Sequence, residues 1–116
     1  MKYLALIYTD EKADMAATPA QQQEVIGEYG AYEGWLAQKP GKKIAGEALL
    51  PTSTAKTIRT RNGKTTITDG PFAETKEHLG GFYLFEAASL EEAIELSKGI
   101  PSAKVGSIEV RAIMTF

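Results

Sequence analysis

The chain carries the sequence Asp69-Gly70-Pro71-Phe72-Ala73-Glu74-Thr75-Lys76-Glu77-His78-Leu79-Gly80-Gly81, and Phe82-Tyr83-Leu84-Phe85 follows directly. The residues from Phe82 to Ala87 predict a strand that is apolar on both faces apart from Glu86, and such a strand is covered on both faces. The segment before it combines a turn, an aromatic side chain, several charged groups and the only histidine, His78. We therefore expect this segment to lead the chain into a central strand and to contain a candidate site.

Three more strands are predicted from the pattern of apolar residues. The segment from Lys2 to Thr9 is apolar on both faces, which again indicates a central strand. The segment from Lys43 to Leu50 is predicted as the next strand, and the segment from Ile108 to Thr115 as the last.

Two helices are predicted from capping boxes, in which a hydroxyl side chain precedes Gln or Glu by three residues. The first box is Thr18-Pro19-Ala20-Gln21, and its helix should end near Lys39. The second box is Ser89-Leu90-Glu91-Glu92, and Gly99 should close its helix. The segment from Asp10 to Ala17, which precedes the first box, is predicted as a loop.

A β-hairpin is predicted around Arg61-Asn62-Gly63-Lys64. Asn-Gly suits a type I′ turn because both central residues need a positive φ. This turn fixes the register. Because the hairpin has a single narrow apolar stripe, we expect it at an edge. The predicted cross-strand pairs are Ile58 with Ile67, Thr60 with Thr65, and Lys56 with Asp69.

The predicted order is strand, helix, strand, inserted hairpin, strand, helix, strand. Without the hairpin this is the β-α-β-β-α-β arrangement of an α+β, ferredoxin-like fold, here in a single domain of 116 residues. The first and third core strands are central in that topology, and they are the two doubly apolar segments. Because two helices cover only one face of the sheet, we expect a second copy of the chain to cover the other face in a homodimer.

The composition excludes several classes of protein. A net charge of −2, from 13 basic and 15 acidic residues, does not supply the basic surface that nucleic-acid binding needs, so no nucleic-acid partner is expected. The absence of cysteine excludes disulfides, thiolate catalysis and cysteine-bound metals. The apolar run near the N-terminus is too short to span a membrane and no small-residue cleavage site follows it, so we expect a cytoplasmic protein without a membrane partner.

The segment from Thr68 to Glu77, followed by Leu79-Gly80-Gly81-Phe82-Tyr83-Leu84, resembles the signature of the YCII-related (YciI-like) family, in particular its DGPF-domain branch. The resemblance extends along the chain through Lys2-Tyr3, Leu6-Ile7-Tyr8, Gly46-Glu47, Leu50-Pro51, the Arg61–Lys64 turn, Gly106 and Glu109-Val110-Arg111. It implies a ferredoxin-like dimer of the α/β-barrel kind. It also implies a pocket between sheet and helices, where relatives in the wider superfamily act on small, often aromatic or chlorinated molecules. Related domains occur beside sigma factors of transcription.

One departure from the family pattern concerns its chemistry. The YciI branch resembles an enzyme with a His–Asp pair, the His following Pro-Ala at the start of the first helix and the Asp preceding the Pro after the second. Gln21 and Ile100 stand at those positions here. Since Gln cannot take up a proton near neutral pH, the chemistry of that pair is not implied for this chain.

Asp69 and His78 are the candidate catalytic residues. Asp69 either completes the Asp-Gly-Pro turn and pairs with Lys56, or acts as a base from a buried site. His78 is a candidate general base or haem ligand, although its position in a predicted loop favours an exposed side chain without a role. Phe72 is predicted as a core anchor in preference to a ligand-stacking group.

The candidate ligand-binding groups come from several segments. Arg111 either pairs with Glu109 at the dimer interface or clamps a carboxylate. A lone histidine cannot form a multi-histidine metal site, so neither a metal nor another cofactor is expected. The full candidate set for ligand binding is Tyr8, Glu47, Phe72, Glu74, Lys76, Tyr83 and Arg111.

Two functions stay open on the sequence alone. The first is cofactor-free acid–base chemistry on a small organic molecule, with Asp69 as base, Arg111 as anion clamp and Tyr8 as hydrogen-bond donor. The alternative is a non-catalytic ligand-binding or regulatory module, linked to transcription; a third, weaker possibility is a structural dimer without a ligand. A pocket of roughly 300 Å³ or more near Asp69 is the feature that separates them, and a closed, dry core there would exclude the first.

Overall fold

The computed structural model describes residues 1–116 and contains a four-stranded antiparallel sheet and a separate two-stranded sheet. The four-stranded sheet has the order β2-β5-β1-β6, so the two doubly apolar segments, β1 and β5, are the central strands, as predicted. The two-stranded sheet is the hairpin β3–β4. The strands are β1 (Lys2–Thr9), β2 (Lys42–Ala48), β3 (Lys56–Arg61), β4 (Lys64–Asp69), β5 (His78–Glu86) and β6 (Ser107–Ala112).

The helices are α1 (Glu11–Met15), α2 (Pro19–Leu36) and α3 (Leu90–Lys98), with short 3-10 turns at Thr52–Thr54 and Pro101–Lys104. The capping box predicted for α2 is complete, because the side chains of Thr18 and Gln21 each accept the other's backbone N–H. At α3 only one of the two hydrogen bonds of a capping box forms. The Ser89 hydroxyl accepts the N–H of Glu92, but the Glu92 carboxylate accepts the N–H of Ala88 in place of that of Ser89. No helix is both long enough and apolar enough to cross a membrane.

The core lies between the two long helices and one face of the sheet. Tyr32 of α2 donates its hydroxyl to the carbonyl of Leu96 in α3 at 2.7 Å, and its ring packs edge-on against Tyr83 of β5 with centroids 5.5 Å apart. Burying one large apolar side chain contributes about 1.5–3 kcal/mol to stability. The buried cluster consists of Tyr3, Ala5, Ile7, Tyr32, Leu36, Tyr83, Phe85, Ala87, Ala93, Leu96 and Ile100.

The other face of the sheet carries Leu4, Leu6, Phe82 and Leu84, which are half-buried. These side chains alternate along β1 and β5 with the buried ones, so they project away from the helices. The molecule is only 18 Å deep in its shortest dimension. That depth corresponds to one layer of helices on one sheet.

The hairpin has the predicted register at every pair, including Ile58 opposite Ile67 and Lys56 opposite Asp69. Asn62 and Gly63 have φ values of 52° and 72°, as a type I′ turn requires. The hairpin pairs with no strand of the main sheet, so its predicted place at an edge of that sheet is wrong. Its only apolar cross-strand pair is exposed, each isoleucine by 67%, because no other element covers it.

Two element boundaries in the structure differ from the predicted ones, and both differences affect the site. Residues 10–17 are not simply a loop, because Asp10 caps the five-residue helix α1 by accepting the N–H groups of Lys12 and Ala13. Strand β5 begins at His78 and not at Phe82. The glycines before Phe82 belong to the strand: a Cβ on Gly81 would lie 2.7 Å from the Glu47 carbonyl oxygen, so the close approach of β2 requires glycine there.

Candidate functional site

A pocket of about 730 Å³ lies between α1, α2 and the neighbouring ends of β1, β2 and β5. Its rim carries large apolar side chains that are exposed to solvent: Met15, Val25, Ile26, Leu49 and Leu50. A contiguous group of exposed apolar side chains is uncommon on a soluble protein, and such groups often surround a ligand-binding groove. The resemblance to known relatives implied a pocket between sheet and helices, and the structure has one there.

Polar groups converge on one wall of the pocket, around Glu33 of α2. Its Oε1 atom accepts hydrogen bonds from Lys43 Nζ at 2.8 Å and from the Tyr83 hydroxyl at 3.1 Å. Burial and the nearby Glu33 carboxylate raise the pKa of Tyr83 above its ordinary value of 10.0. The Tyr83 hydroxyl therefore keeps its proton and donates a hydrogen bond throughout the neutral range. Tyr29, also in the lining, lies 2.7 Å from Ser102 through its hydroxyl.

A second polar group, formed by Glu11, Thr52 and His78, lies at the α1 end of the pocket. The Glu11 carboxylate accepts the backbone N–H and the hydroxyl of Thr52, both at 2.6 Å. Its Oε2 atom lies 3.7 Å from Nδ1 of His78. The hydrogen bonds from the Thr52 hydroxyl and amide, with a smaller contribution from His78, hold the pKa of Glu11 below its ordinary value of 4.5.

His78 is not the exposed loop residue that the sequence favoured. It is the first residue of β5 and pairs with Thr9 of β1, so its side chain is only 16% exposed. Neither ring nitrogen is reached by solvent, and neither has a hydrogen-bond partner. An imidazole with two shielded, unpartnered nitrogens beside a carboxylate is a rare arrangement, and it lies in a pocket wall.

Polar contacts alone position α1, which has no buried residues. Asp10 caps its N-terminus, and Asp14 accepts the hydroxyl proton of Thr9 at 2.6 Å. Glu11 ties the helix to the Thr52–Thr54 turn. One wall of the pocket is thus a short helix held to the sheet and to one turn by carboxylates.

Only some of the sequence-predicted site residues reach this pocket. His78, Tyr83 and Glu47 line it. Asp69 does not: its side chain is 84% exposed and forms the predicted ion pair with Lys56, so the interpretation of a buried base is wrong.

The residues between the hairpin and β5 also lie outside the pocket. Phe72 is 79% exposed, so its predicted role as a core anchor is wrong. No residue from Gly70 to Gly80 is buried, and the first buried residue is Gly81, which leaves the ring without a core to enter. Glu74 and Lys76, also predicted for ligand binding, are exposed on the same stretch.

Tyr8 and Arg111 do not line the pocket. Arg111 lies opposite Leu4, and Glu109 lies opposite Leu6, so both project from the uncovered face of the sheet. The predicted ion pair between Arg111 and Glu109 forms at 3.8 Å. Of the two roles considered for Arg111, the ion pair is present, and its side chain takes no part in the pocket between α1, α2 and the sheet.

Glu11, Asp14 and Thr52 were missed as site residues by the sequence analysis. A signal for the first two is present, since Asp10 followed by Glu11 and Asp14 is a capping residue with an acidic first turn. Thr52 has no such signal, because it meets Glu11 across 41 positions of sequence.

Fold and site define a class of protein: a small α+β domain whose antiparallel sheet has helices on one face and a pocket at its strand ends. The chain matches the YCII-related domain over residues 1–116, and it belongs to that family. It is similar to an uncharacterized protein of Rhizobium meliloti (strain 1021), with 37% identity over 118 residues that span 100% of this chain and 94% of the relative.

Proposed function

We propose that this protein binds a small organic molecule in the pocket between α1, α2 and the sheet. The observation that supports the proposal is the pocket itself, with a volume of about 730 Å³, an exposed apolar rim and two convergent polar groups. Ligand pockets have volumes of roughly 300–1,000 Å³ and combine apolar walls with a few polar groups that orient the ligand.

The same site supports cofactor-free acid–base chemistry with His78 as the proton acceptor and donor. Glu11 lies beside Nδ1 and favours the tautomer that carries its proton there, so Nε2 has the free lone pair. Glu11 is thus a positioning residue. Because both nitrogens are shielded from solvent, proton transfer requires the ligand to displace the groups that cover Nε2.

The alternative is a ligand-binding module without catalysis, working alone or beside a transcription factor. Two observations favour it: the shielding of both His78 nitrogens, and Gln21 and Ile100 at the positions of the His–Asp pair of the YciI branch. Ligand binding is common to both candidates, and only the fate of a proton on the bound ligand separates them.

We further propose that this chain is ferredoxin-like and belongs to the DGPF branch of the family. We also propose that it works in the cytoplasm as a homodimer in which the uncovered sheet faces pack together. An uncovered face with leucine and phenylalanine side chains, and a depth of 18 Å, support the dimer. A second sheet packed on this face would remove the leucines from water, as in face-to-face sheet packing.

Binding is tested by a thermal-shift screen of small organic molecules against a pocket-filling variant. Val25→Trp places a large ring on the rim of the pocket, whereas the control Val105→Trp places the same ring at an exposed site outside it. The proposal predicts ligands that stabilise the wild type and Val105→Trp but not Val25→Trp. Ligands that stabilise all three proteins equally would contradict it.

Catalysis is tested on the ligands that the screen yields. In D₂O, an acid–base enzyme exchanges a carbon-bound proton of its ligand for deuterium, which NMR detects. We expect exchange with the wild type and at least about a hundredfold slower exchange with His78→Gln at unchanged affinity, since general-base catalysis contributes ~10²–10⁴-fold. Binding without exchange by the wild type would support the non-catalytic module.

A further inference from the structure

We propose that the ligand of this pocket is an organic cation, an amine with an apolar or aromatic body, bound with its ammonium group beside Glu11 and Asp14 of α1. This inference rests on the proposed ligand binding and adds the chemical class of the ligand. It excludes the carboxylate ligand that a clamp by Arg111 would have bound.

The charged side chains of the lining are predominantly acidic. Lys43 is the one lysine or arginine among them, and its Nζ atom is 2.8 Å from Glu33, so it has no free charge to offer an anionic ligand. An anion entering this pocket would lose its hydration and meet net negative charge. The carboxylates that face the pocket are those of Glu11, Asp14 and Glu33, whereas Glu47 lies opposite Phe82 and lines the pocket from the other side of its strand.

The two carboxylates of α1 are held in place without being neutralised. Glu11 accepts only from the amide and hydroxyl of Thr52, and Asp14 accepts from the hydroxyl of Thr9. Neither forms an ion pair with a lysine or arginine, and His78 lies beside Glu11 at 3.7 Å. The lowered pKa of Glu11 keeps it ionised at neutral pH.

The positions of these carboxylates suit a single ammonium group. Glu11 and Asp14 are three residues apart on one helix, and residues at that spacing lie on the same side of it. Each carboxylate oxygen has two lone pairs, so acceptor sites are free on both groups after the threonine hydrogen bonds are made. An ammonium group has three donors and can contact both carboxylates at once.

The rest of the pocket indicates an organic cation. Val25, Ile26 and Leu49 offer apolar surface to a hydrocarbon body, and the rings of Tyr29 and Tyr83 belong to the same lining. Apolar walls of this extent give a hydrated metal ion nothing to bind, whereas they remove an aliphatic or aromatic body from water.

The test compares three probes of similar shape by isothermal titration calorimetry: 2-phenylethylamine, the neutral 2-phenylethanol and the anionic phenylacetate. We expect the amine to bind at least about tenfold more tightly than the alcohol, since hydrogen bonds between ions are the stronger ones. Phenylacetate should bind most weakly. The advantage of the amine over the alcohol should shrink as salt is added.

Asp14→Asn removes one charge and keeps an acceptor for the Thr9 hydroxyl, and Asp69→Asn is the matched control outside the pocket. The amine should lose about tenfold in affinity in Asp14→Asn and nothing in Asp69→Asn, whereas the alcohol should be unaffected by both. If phenylacetate binds as tightly as the amine, and Val25→Trp abolishes both, the inference on charge is overturned while the ligand pocket stands. If Val25→Trp changes the binding of none of the probes, the proposed ligand pocket itself is overturned.

Discussion

At the scale of single residues, the site depends on how Thr52 holds Glu11. Since the folded-state pKa of Glu11 lies below its ordinary value of 4.5, the ionised carboxylate stabilises the fold above that value. This contribution is lost as the pH falls through the lowered pKa. The Thr52 hydroxyl makes one of the two hydrogen bonds responsible.

Thr52→Val removes that hydroxyl at nearly constant volume and leaves the backbone hydrogen bond intact. We expect a lower melting temperature than that of the wild type at neutral pH, and a difference that vanishes in strong acid, where Glu11 is protonated in both proteins. Thr54→Val is the control, because its hydroxyl bonds only the carbonyl of Pro51. A difference that persists in strong acid would mean that Glu11 is not the group responsible.

The two phenylalanines on either side of His78 should respond differently to truncation. Phe85 is fully buried, so Phe85→Ala should cost ~3–5 kcal/mol of unfolding free energy. Phe72 is exposed, and Phe72→Ala should change stability by no more than about 0.5 kcal/mol. Urea unfolding measures both, and a cost above about 2 kcal/mol for Phe72→Ala would show that the ring is covered in solution.

At the scale of elements, the hairpin is the clearest case of local sequence determining structure. Gly63 has a φ of 72°, where a Cβ is strained. Gly63→Ala should therefore destabilise the hairpin by ~1–2 kcal/mol. Amide exchange in β3 and β4 should become faster than in the wild type, while exchange in β1 and β5 stays the same. Unchanged exchange in the hairpin of Gly63→Ala would contradict the turn assignment.

A glycine within a helix should respond in the opposite way. Gly30→Ala in α2, where no atom lies within 4 Å of the added methyl group, should stabilise the chain by ~0.5–1 kcal/mol, as measured by urea unfolding.

Elements that carry their own pattern were predictable, and the site was not. The strands β1 and β5 were predicted as central because both of their faces are apolar, and Asn62-Gly63 predicted the hairpin register. The structure confirms both predictions. The helix α1 was missed because it buries nothing and so has no apolar period. The start of β5 was predicted too late because glycines such as Gly81 are typical of linkers. Here the glycine belongs to the strand, since the close approach of β2 leaves no room for a side chain.

The site residues come together only through tertiary structure. Glu11, Thr52 and His78 belong to three segments that no motif joins, and only the approach of Glu11 to His78 follows from the pairing of Thr9 with His78. Asp69 showed the opposite failure, because a motif marked it while its surroundings left it on the surface. The spacing of residues in the sequence was therefore enough to identify the family, but it was not enough to locate the pocket.

At the scale of the whole molecule, the uncovered sheet face leads to a prediction on mass. We expect light scattering to give twice the 12.5 kDa of one chain. Leu6→Glu adds a charge in the middle of that face, opposite Glu109, and should give monomers, whereas Val105→Glu at an exposed site elsewhere should not. A wild type that stays at 12.5 kDa at micromolar concentration would contradict the dimer.

The proposed binding of a small organic molecule in the pocket between α1, α2 and the sheet can be followed residue by residue. Its most direct test is a titration of ¹⁵N-labelled protein with the tightest ligand of the screen, followed by amide chemical shifts. The largest changes are predicted at Glu11, Val25, His78 and Tyr83, with none in the hairpin around Asp69. Saturable changes confined to the hairpin or to the uncovered sheet face would contradict the account.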